Sequence, residues 1–403
     1  MTDATVYTPE KPRLTLGYIP LIDSAALSVA QEKGFFAEEG LEVTLQAEPS
    51  WANIRDKVAY GLLDGAQMLA GMPLAASLGA GPVRESMVTA FSMSLNGNAI
   101  TLSNPLYDAL AAELGVAQLG PLLAGDALRK LIEKRRAAGH APLIFAHVYN
   151  FSSHNYQLRY WLAANGVDPE DDVRLVVVPP QRMAASLAAG EIDGYCVGEP
   201  WNTLSASAGQ GKILLNGSDI WRDAPEKVFG VMQAWADENP QTHRALLRAL
   251  SRASEWLGRE ANLPEAAAML SDNDHIPLGQ AQLLEAMRGG PGGRGGACTF
   301  FARHANLPFL SHATWFITQM YRWGHLVEPM NIAQAAAAVY QPTLYREVAS
   351  GLGLDVPMNV AHRAGEEVLI NGSRFDANDP VAYLRGEAIA HLRIDLEKLQ
   401  KAQ

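Results

Sequence analysis

The chain has 403 residues, of which 48% are hydrophobic and 19% charged, the balance of a soluble globular protein with two or three domains. Two cysteines exclude a disulfide framework, and the formal net charge of −11 argues against direct binding of nucleic acid. No window approaches the ~18 uninterrupted apolar residues of a membrane span. The opening segment MTDATVYTPEKPRLTLGYIP lacks a signal-peptide pattern, so we expect a cytoplasmic protein without membrane contact.

Short apolar runs alternate with helical stretches through the first part of the chain. The predicted strands cover residues 14–19, 41–46, 66–69, 87–93, 143–147, 173–179, 192–198, 212–215 and 228–233. The predicted helices cover residues 23–34, 50–61, 152–166 and 180–190. This alternation predicts βαβ units and a mainly parallel α/β sheet.

Two segments of the chain resemble each other. Residues 59–69 read AYGLLDGAQML and residues 188–197 read AAGEIDGYCV. In both, a glycine ends a helix and Asp-Gly turns into an apolar strand. We interpret the repeat as two α/β lobes of like design with a ligand cleft between them, although chance similarity competes for so short a match.

The character of the sequence changes after Asn239. Residues 240–257, 264–270, 278–287 and 333–340 are predicted helices, and strand signals nearly vanish. The run RGGPGGRGG at 288–296 is predicted to be a loop; an RNA-binding segment is disfavoured by the acidic chain. Residues 352–384 are predicted to form a tail that wraps the first lobe.

The usual catalytic motifs do not occur in the sequence. There is no GxSxG, P-loop, HExxH or zinc-spaced Cys/His cluster, and the one GxGxxG spacing lies between helical segments rather than after a strand. The sequence therefore gives no positive evidence for catalysis, for a metal or for a cofactor.

Polar residues at strand-to-helix junctions are the remaining candidates for a site, because such junctions line the crevice of an open α/β sheet. Ser50 is a predicted N-cap, and Trp51 at the helix start is placed to close over a small planar ligand. The competing interpretation is a core tryptophan beside a structural cap.

A second junction follows the strand at 143–147. His147 ends this strand, and Ser152, Ser153 and His154 open the next helix. Hydroxyl groups, free amides and histidines at a helix start suit an oxyanion. The alternatives are a capped helix with incidental histidines and, less favoured, a zinc site.

Three further places carry weaker signals. Asn96 and Gly97 mark a crossing between lobes, or simply a turn. Arg222 and Lys227 flank a returning crossing and add positive charge there, unless they are solvated. Glu199 is placed to tie the lobes together or to share a proton with the ligand, or else it faces a helix dipole.

Several longer segments resemble the nitrate/bicarbonate-binding protein family. They are GYIPLIDSAALSVAQEKGFFAEEGLEVTL, SWANIRDKVAYGLLDGAQMLAGMPLA, RYWLAANGVDPEDDVRLVVVPP and GEIDGYCVGEPWN. The resemblance implies a type II periplasmic-binding-protein-like α/β fold. We expect lobe 1 to comprise residues 1–98 and 229–403, with a helical C-terminal extension, and lobe 2 to comprise residues 99–228.

The resemblance also implies which residues touch the anion. By position they are Trp51, Asn96 and His147, with Arg222 or Lys227 as the basic partner. Asn96 stands where the transport proteins often carry Gln, which leaves the choice between nitrate and bicarbonate open.

Within this family, the chain resembles the cytoplasmic nitrate-sensor branch, the NasS type, because it lacks an export-signal pattern and contains the segments FSSHNY and GEPWN. This implies a non-enzymatic sensor that holds an ANTAR-type (NasT-like) antitermination regulator until nitrate or nitrite binds. The alternative is a substrate-binding receptor of a nitrate/bicarbonate-type ABC transporter. An enzyme acting on a small anionic or pyrimidine-like metabolite ranks last, because Cys196 reads as a buried small hydrophobe.

Overall fold

A computed structural model describes residues 8–272, 275–291, 296–362 and 368–403. The strands in these residues are β1 Arg13–Tyr18, β2 Glu42–Ala47, β3 Gly65–Leu69, β4 Met87–Leu95, β5 Asn98–Ser103, β6 Ile144–His147, β7 Arg174–Val177, β8 Gly194–Gly198, β9 Gly211–Asn216 and β10 Pro225–Met232. Each predicted strand overlaps an observed one, and β5, which follows the first crossing, is an additional strand.

Helices fill the connections and most of the C-terminal part. They are α1 Ala25–Glu32, α2 Phe35–Glu38, α3 Trp51–Ala59, α4 Gly71–Leu78, α5 Asn104–Leu114, α6 Pro121–Ala137, α7 Ser153–Ala164, α8 Met183–Ala188, α9 Trp201–Ser207, α10 Gly217–Ile220, α11 Gln233–Glu238, α12 Pro240–Leu257, α13 Leu263–Asp272, α14 Gln280–Met287, α15 Leu310–Arg322, α16 Ile332–Val339, α17 Pro342–Gly351, α18 Pro380–Gly386 and α19 Leu396–Ala402. Within the described residues, none of these helices has both the length and the apolar character needed to cross a bilayer.

Two five-stranded sheets form the two α/β lobes, as predicted. Their strand orders are β2-β1-β3-β10-β4 and β7-β6-β8-β5-β9. In each sheet the first three strands are parallel, and the fourth runs antiparallel to the third. The fourth strand, β10 in one sheet and β5 in the other, pairs antiparallel with both of its neighbours, so the other four strands of each sheet run in one direction.

The strands place the lobe boundaries slightly differently from the expected positions. The boundary expected at residue 228 falls inside β10, whose pairing with β4 of the first sheet already begins at Pro225. Asn98, assigned to the first lobe, pairs with Gly198 in the second sheet. The physical reason is that both crossings are short, so the strands begin almost at once on either side of them.

The repeated Asp-Gly segments occupy equivalent places in the two lobes. Asp64 Oδ2 accepts a hydrogen bond of 2.9 Å from the Thr15 backbone amide at β1, just before β3 begins. Asp193 Oδ2 accepts one of 2.8 Å from the Ile144 backbone amide at β6, just before β8 begins. In both lobes, an aspartate therefore fixes the start of one parallel strand to the start of its neighbour.

The C-terminal helices pack on both lobes. On α15, the Trp315 ring lies 6.3 Å from the ring of Tyr156 on α7 of the second lobe, and α15 also packs on α4 of the first lobe. Ile370 N donates a 2.9 Å hydrogen bond to Ile220 O, and Tyr160 Oη on α7 donates one to Asn371 Oδ1. The prediction that the tail wraps the first lobe is therefore wrong for this stretch, which contacts the second lobe.

Part of the glycine-rich run and part of the tail cannot be compared with their predictions. Residues 292–295 and 363–367 lie outside the described residues. The run begins directly after α14 ends at Met287, with Gly289 and Gly290 at positive φ. These two glycines adopt a backbone conformation that other residues disfavour, which suits the end of a helix.

Candidate functional site

A cluster of buried charged and polar side chains lies where the two lobes meet. At its centre, Lys227 Nζ on β10 lies 2.9 Å from Asp23 Oδ2 and also contacts Glu226 Oε1. Asp23 lies in the 3-10 turn Ile22–Ser24 that follows β1, and its Oδ1 accepts a hydrogen bond from Gln67 Nε2. The end of a parallel strand thus delivers a carboxylate to the crevice.

Helix α7 faces this cluster from the second lobe. The Ser152 side chain caps the helix by accepting a 3.0 Å hydrogen bond from Asn155 N. Ser153 Oγ donates to Glu226 Oε2, and His154 Nε2 lies 3.0 Å from Glu226 Oε1. A first-lobe carboxylate therefore lies at the positively polarised start of a second-lobe helix.

Asn98, the first residue of β5, completes the second-lobe side. Its Nδ2 donates a 3.2 Å hydrogen bond to Ser153 Oγ, whereas its buried Oδ1 has no partner within the described part of the chain. A Cβ added at Gly198 would lie 3.3 Å from Asp23 Oδ2, 3.6 Å from Asn98 Oδ1 and 3.7 Å from His154 Nε2. Side chains from both lobes thus converge above a glycine.

Trp51 lies against the same cluster. Ser50 caps α3, as predicted, by accepting a 3.2 Å hydrogen bond from Asn53 N. The Trp51 ring centroid lies 5.3 Å from Lys227 Nζ, within the range of a cation–π contact. The buried indole N–H finds no acceptor in the described residues. Trp51 is therefore both a core residue and a potential hydrogen-bond donor to a ligand.

His147 ends β6 and is buried. Burial, with a smaller contribution from the nearby Arg159, lowers its pKa to about 3. The imidazole is therefore neutral near pH 7, and its Nδ1 has no partner among the described residues. A neutral imidazole supplies one donor and one acceptor, so it serves a ligand by hydrogen bonding rather than by charge.

Carboxyl groups outnumber ammonium groups in the cluster. Burial alone would raise the pKa of Glu226, but the nearby His154 and Lys227 have a larger combined effect and lower this pKa to about 2. Burial lowers the pKa of Lys227, but Asp23 and Glu226 reverse this and raise it. Burial raises the pKa of Asp23, and Lys227 offsets this only in part. Two carboxyl groups therefore lie around one ammonium group.

In the described part of the chain, no hydrogen bond or ion pair joins Lys227 Nζ to Asn96, Gly97 or Arg222. Asn96 adopts a φ of 62° at the crossing, and its Nδ2 lies 3.4 Å from both Asp223 Oδ1 and Thr299 Oγ1. Gly97 follows with a φ of 98°. Of the two candidates for the basic partner, the Arg222 side chain is exposed, whereas the Lys227 side chain is buried in the cluster.

Glu199 joins the lobes mainly through its backbone. Its carbonyl oxygen accepts a 3.0 Å hydrogen bond from Ile22 N of the first lobe, and its amide donates one of 2.8 Å to Gly97 O at the crossing. The side chain accepts from Thr203 N at the start of α9. Burial raises the pKa of Glu199 to about 7.

The sequence analysis missed several members of the cluster. Four are polar residues inside or shortly after apolar strands, or at their ends: Asp23, Gln67, Asn98 and Glu226. The fifth, Gln157, lies on α7 and accepts a hydrogen bond from Asn98. Glu226 was overlooked because β10 was predicted to start at 228, which left PEK in a loop. The signal that could have identified it is the charged pair Glu226-Lys227 directly before the apolar run VFGVM. Within the described residues, no group of three His, Cys, Asp or Glu side chains is arranged to hold a metal ion.

Comparison with solved structures defines the class as a periplasmic-binding-protein-like fold. The crystal structure of the periplasmic nitrate-binding protein NrtA from Synechocystis PCC 6803 matches 95% of this chain and 100% of its own, with a TM-score of 0.86 and 29% identity. The alkanesulfonate-binding protein SsuA from Xanthomonas axonopodis pv. citri has a TM-score of 0.54 and 15% identity, which shows the fold alone.

Comparison of sequences gives the family. The chain belongs to the NMT1-like family, whose model matches residues 7–271, and within it to the nitrate/bicarbonate-binding proteins. The nitrate/nitrite binding protein NrtA of Synechococcus elongatus is 32% identical over 396 residues, covering 94% of this chain and 86% of that protein.

A longer relative is more similar still. The bicarbonate transport ATP-binding protein CmpC of Synechocystis sp. is 40% identical over 404 residues, which cover 96% of this chain but 57% of that protein. The chain thus spans little more than half the length of the first curated relatives it matches.

Proposed function

We propose that this protein binds nitrate or nitrite between its lobes and serves as a substrate-binding receptor of a nitrate/bicarbonate-type ABC transporter. The observation that carries the proposal is the buried ammonium group of Lys227, which lies against Trp51 and contacts the Glu226 carboxylate that also contacts Ser153 and His154 at the start of α7. The names of the relatives, which refer to nitrate, nitrite and bicarbonate, support an oxyanion of this size.

The chemistry of the cluster suits a small oxyanion. Lys227 and Trp51 contribute N–H donors from the first lobe, and Ser153 and the first amides of α7 contribute donors from the second. A buried donor without an acceptor costs about 1–3 kcal/mol, and a bound anion would recover that cost. Since each lobe holds part of the hydrogen-bond shell, binding would favour closure of the lobes.

The proposed role is binding without catalysis. The two thiols are poorly suited to attack, because burial raises the pKa of Cys196, the nucleophile considered from the sequence, and of Cys298 well above the usual range. A thiol must ionise before it attacks a substrate.

Calorimetry on the full chain tests the proposal. The ligand panel is nitrate, nitrite, bicarbonate, sulfate and a thiamine precursor, and we expect nitrate or nitrite to bind. Trp51→Phe removes the indole N–H but keeps the ring, and should weaken binding about tenfold, the equivalent of one hydrogen bond. His147→Gln should also weaken binding, whereas Arg222→Gln, on the exposed candidate, should change nothing. Unchanged affinity in the first two variants would refute the site, and absence of binding by every anion would refute the function.

A second candidate is the cytoplasmic nitrate sensor, favoured by the likeness of FSSHNY and GEPWN to that branch. FSSHNY contains Ser153 and His154, which contact Glu226 across the cleft, so that closure would alter the surface around α7. An ANTAR-type regulator that co-purifies with the protein and is released by saturating nitrate would support the sensor. A regulator that never binds, together with recovery of the protein beside a permease, would support the receptor.

A further inference from the structure

The Glu226 carboxylate already occupies donors that the proposed function assigns to the anion. Its backbone belongs to β10 of the first lobe, yet its oxygens contact Ser153 and His154 of the second lobe and Lys227 Nζ. The side chain is 1% exposed, so these contacts are its main interactions. This inference rests on the proposed function, because it concerns the same donors.

A carboxylate is a good structural substitute for these anions. It presents two oxygens on one planar carbon, the arrangement of the O–N–O unit of nitrite and of one edge of nitrate or bicarbonate. The start of a helix binds a carboxylate as readily as an inorganic oxyanion. The hydroxyl of Ser153 and the ammonium of Lys227 can therefore donate hydrogen bonds either to Glu226 or to a free oxyanion.

The charge of the cluster argues against simultaneous occupancy. The Glu226 carboxylate and the Asp23 carboxyl group already lie against Lys227. A free anion placed beside Lys227 would put a like charge next to the Glu226 carboxylate in a buried site, where repulsion is only weakly screened. The anion can approach at lower cost if Glu226 withdraws from Lys227 and α7.

We propose that Glu226 is an internal competitor for the anion, a tethered carboxylate that holds the lobes together at Ser153 and His154 and that nitrate or nitrite must displace. The apparent affinity for the anion then equals the intrinsic affinity multiplied by the fraction of molecules in which Glu226 has left its donors. The low pKa of Glu226 keeps the competitor ionised throughout the physiological range. Glu226 would thus set the anion concentration to which the protein responds.

Glu226→Gln tests this proposal in the full chain, with sodium nitrate and sodium nitrite as probes in calorimetry. The amide keeps the size of the side chain but removes its charge, so the variant should bind the anion at least tenfold more tightly than the wild type. Glu48→Gln is the matched control, because Glu48 is a first-lobe carboxylate of 2% exposure that pairs with Lys57 instead. It should bind like the wild type.

The outcomes separate the two proposals. If the wild type binds the anion and Glu226→Gln binds it equally or more weakly, Glu226 orients Lys227 or contacts the ligand, and the competitor is refuted while the binding function stands. If neither protein binds any anion of the panel, the proposed function is refuted and the competitor with it.

Small-angle X-ray scattering without ligand provides a readout that does not depend on the ligand. Loss of the Glu226 bridge should increase the radius of gyration of Glu226→Gln, and nitrate should reverse the increase. An unchanged radius would refute the bridging part of the proposal. Should Glu226→Gln fail to fold, Glu226→Asp tests the contact with Ser153 alone, because the shorter side chain retracts from Ser153 but keeps its charge. Its gain in affinity should then be smaller than tenfold and the radius should still increase, whereas equal or weaker binding would refute the competitor.

Discussion

Asp23 Oδ2 and Lys227 Nζ lie 2.9 Å apart between the lobes, and their side chains are 1% and 0% exposed. The two residues are 204 positions apart in the chain, so this ion pair forms only when β1 and β10 join the same sheet. Charges buried this deeply are tolerated only when they are paired and hydrogen-bonded. Asp23 is therefore as much a structural partner of Lys227 as a part of the site.

Asp23→Asn should destabilise the protein by about 1–3 kcal/mol, because it weakens a buried charge-assisted hydrogen bond to Lys227, although Glu226 remains as a counter-ion. Denaturant unfolding near neutral pH measures the loss. The matched control is Asp56→Asn, which breaks the pair with Arg55, where the Asp56 side chain is 42% exposed. Exposed pairs contribute less than about 1 kcal/mol. Equal losses in the two variants would contradict the structural role of Asp23.

Glu199 should make stability depend on pH in the acidic range. Its pKa rises from 4.5 to about 7 through burial, so the folded protein keeps a proton that the unfolded chain has lost. Stability should therefore fall as pH rises from about 4.5 to about 7 and stay level above that, by up to about 3 kcal/mol at 1.36 kcal/mol per unit. Glu199→Gln keeps an acceptor for Thr203 N but cannot titrate, so the stability of the wild type minus that of the variant should fall over this pH range. If the stability difference between the wild type and Glu199→Gln does not change with pH over this range, the prediction is wrong.

The paired Asp-Gly turns predict unequal effects in the two lobes. Asp193→Ala loses the hydrogen bond to Ile144 N and should cost about 1–2 kcal/mol. Asp64→Ala should cost more, because Asp64 also accepts from Lys11 Nζ and from Trp235 Nε1. Hydrogen exchange should show faster opening of the amides at β6 in the first variant and at β1 in the second. Exchange that accelerates equally in both lobes would contradict their independence.

The sequence was informative where local chemistry determines structure. Ser50 was recognisable as a cap and Ser152 as the opening of a helix, and the Asp-Gly repeat indicated two similar lobes, since these signals depend on neighbouring residues. The contacts of the cluster depend instead on how distant strands join. Asn96 and Asn98 both flank Gly97, but which amide faces α7 is decided by where β5 begins, and that boundary cannot be read from the residues themselves.

The C-terminal tail shows the same limit. Its turns were visible in the sequence, yet the lobe it contacts depends on where α15 packs. Trp315 and Phe316 place α15 beside Tyr156 of the second lobe, and the tail that follows continues along that side. Apolar residues in a helix predict burial but do not specify the partner.

Arg322 should anchor this tail. The side chain is 1% exposed, its Nε and Nη2 donate hydrogen bonds of 3.1 and 3.0 Å to Ile389 O, and Nη2 lies 2.8 Å from Glu387 Oε2. Arg322→Met keeps much of the apolar volume but leaves the carbonyl and carboxylate without their donor. We expect a loss of about 3 kcal/mol and faster tryptic cleavage at Arg385 and Arg393.

His391→Ala is the control for the anchor. His391 Nε2 lies 2.8 Å from Asp168 Oδ1 in the second lobe, but both side chains are partly exposed, at 34% and 25%. This contact should contribute less than about 1 kcal/mol, so cleavage near Arg393 should increase only slightly. A greater effect of His391→Ala than of Arg322→Met would place the anchor at the surface contact with Asp168 instead of at the buried guanidinium.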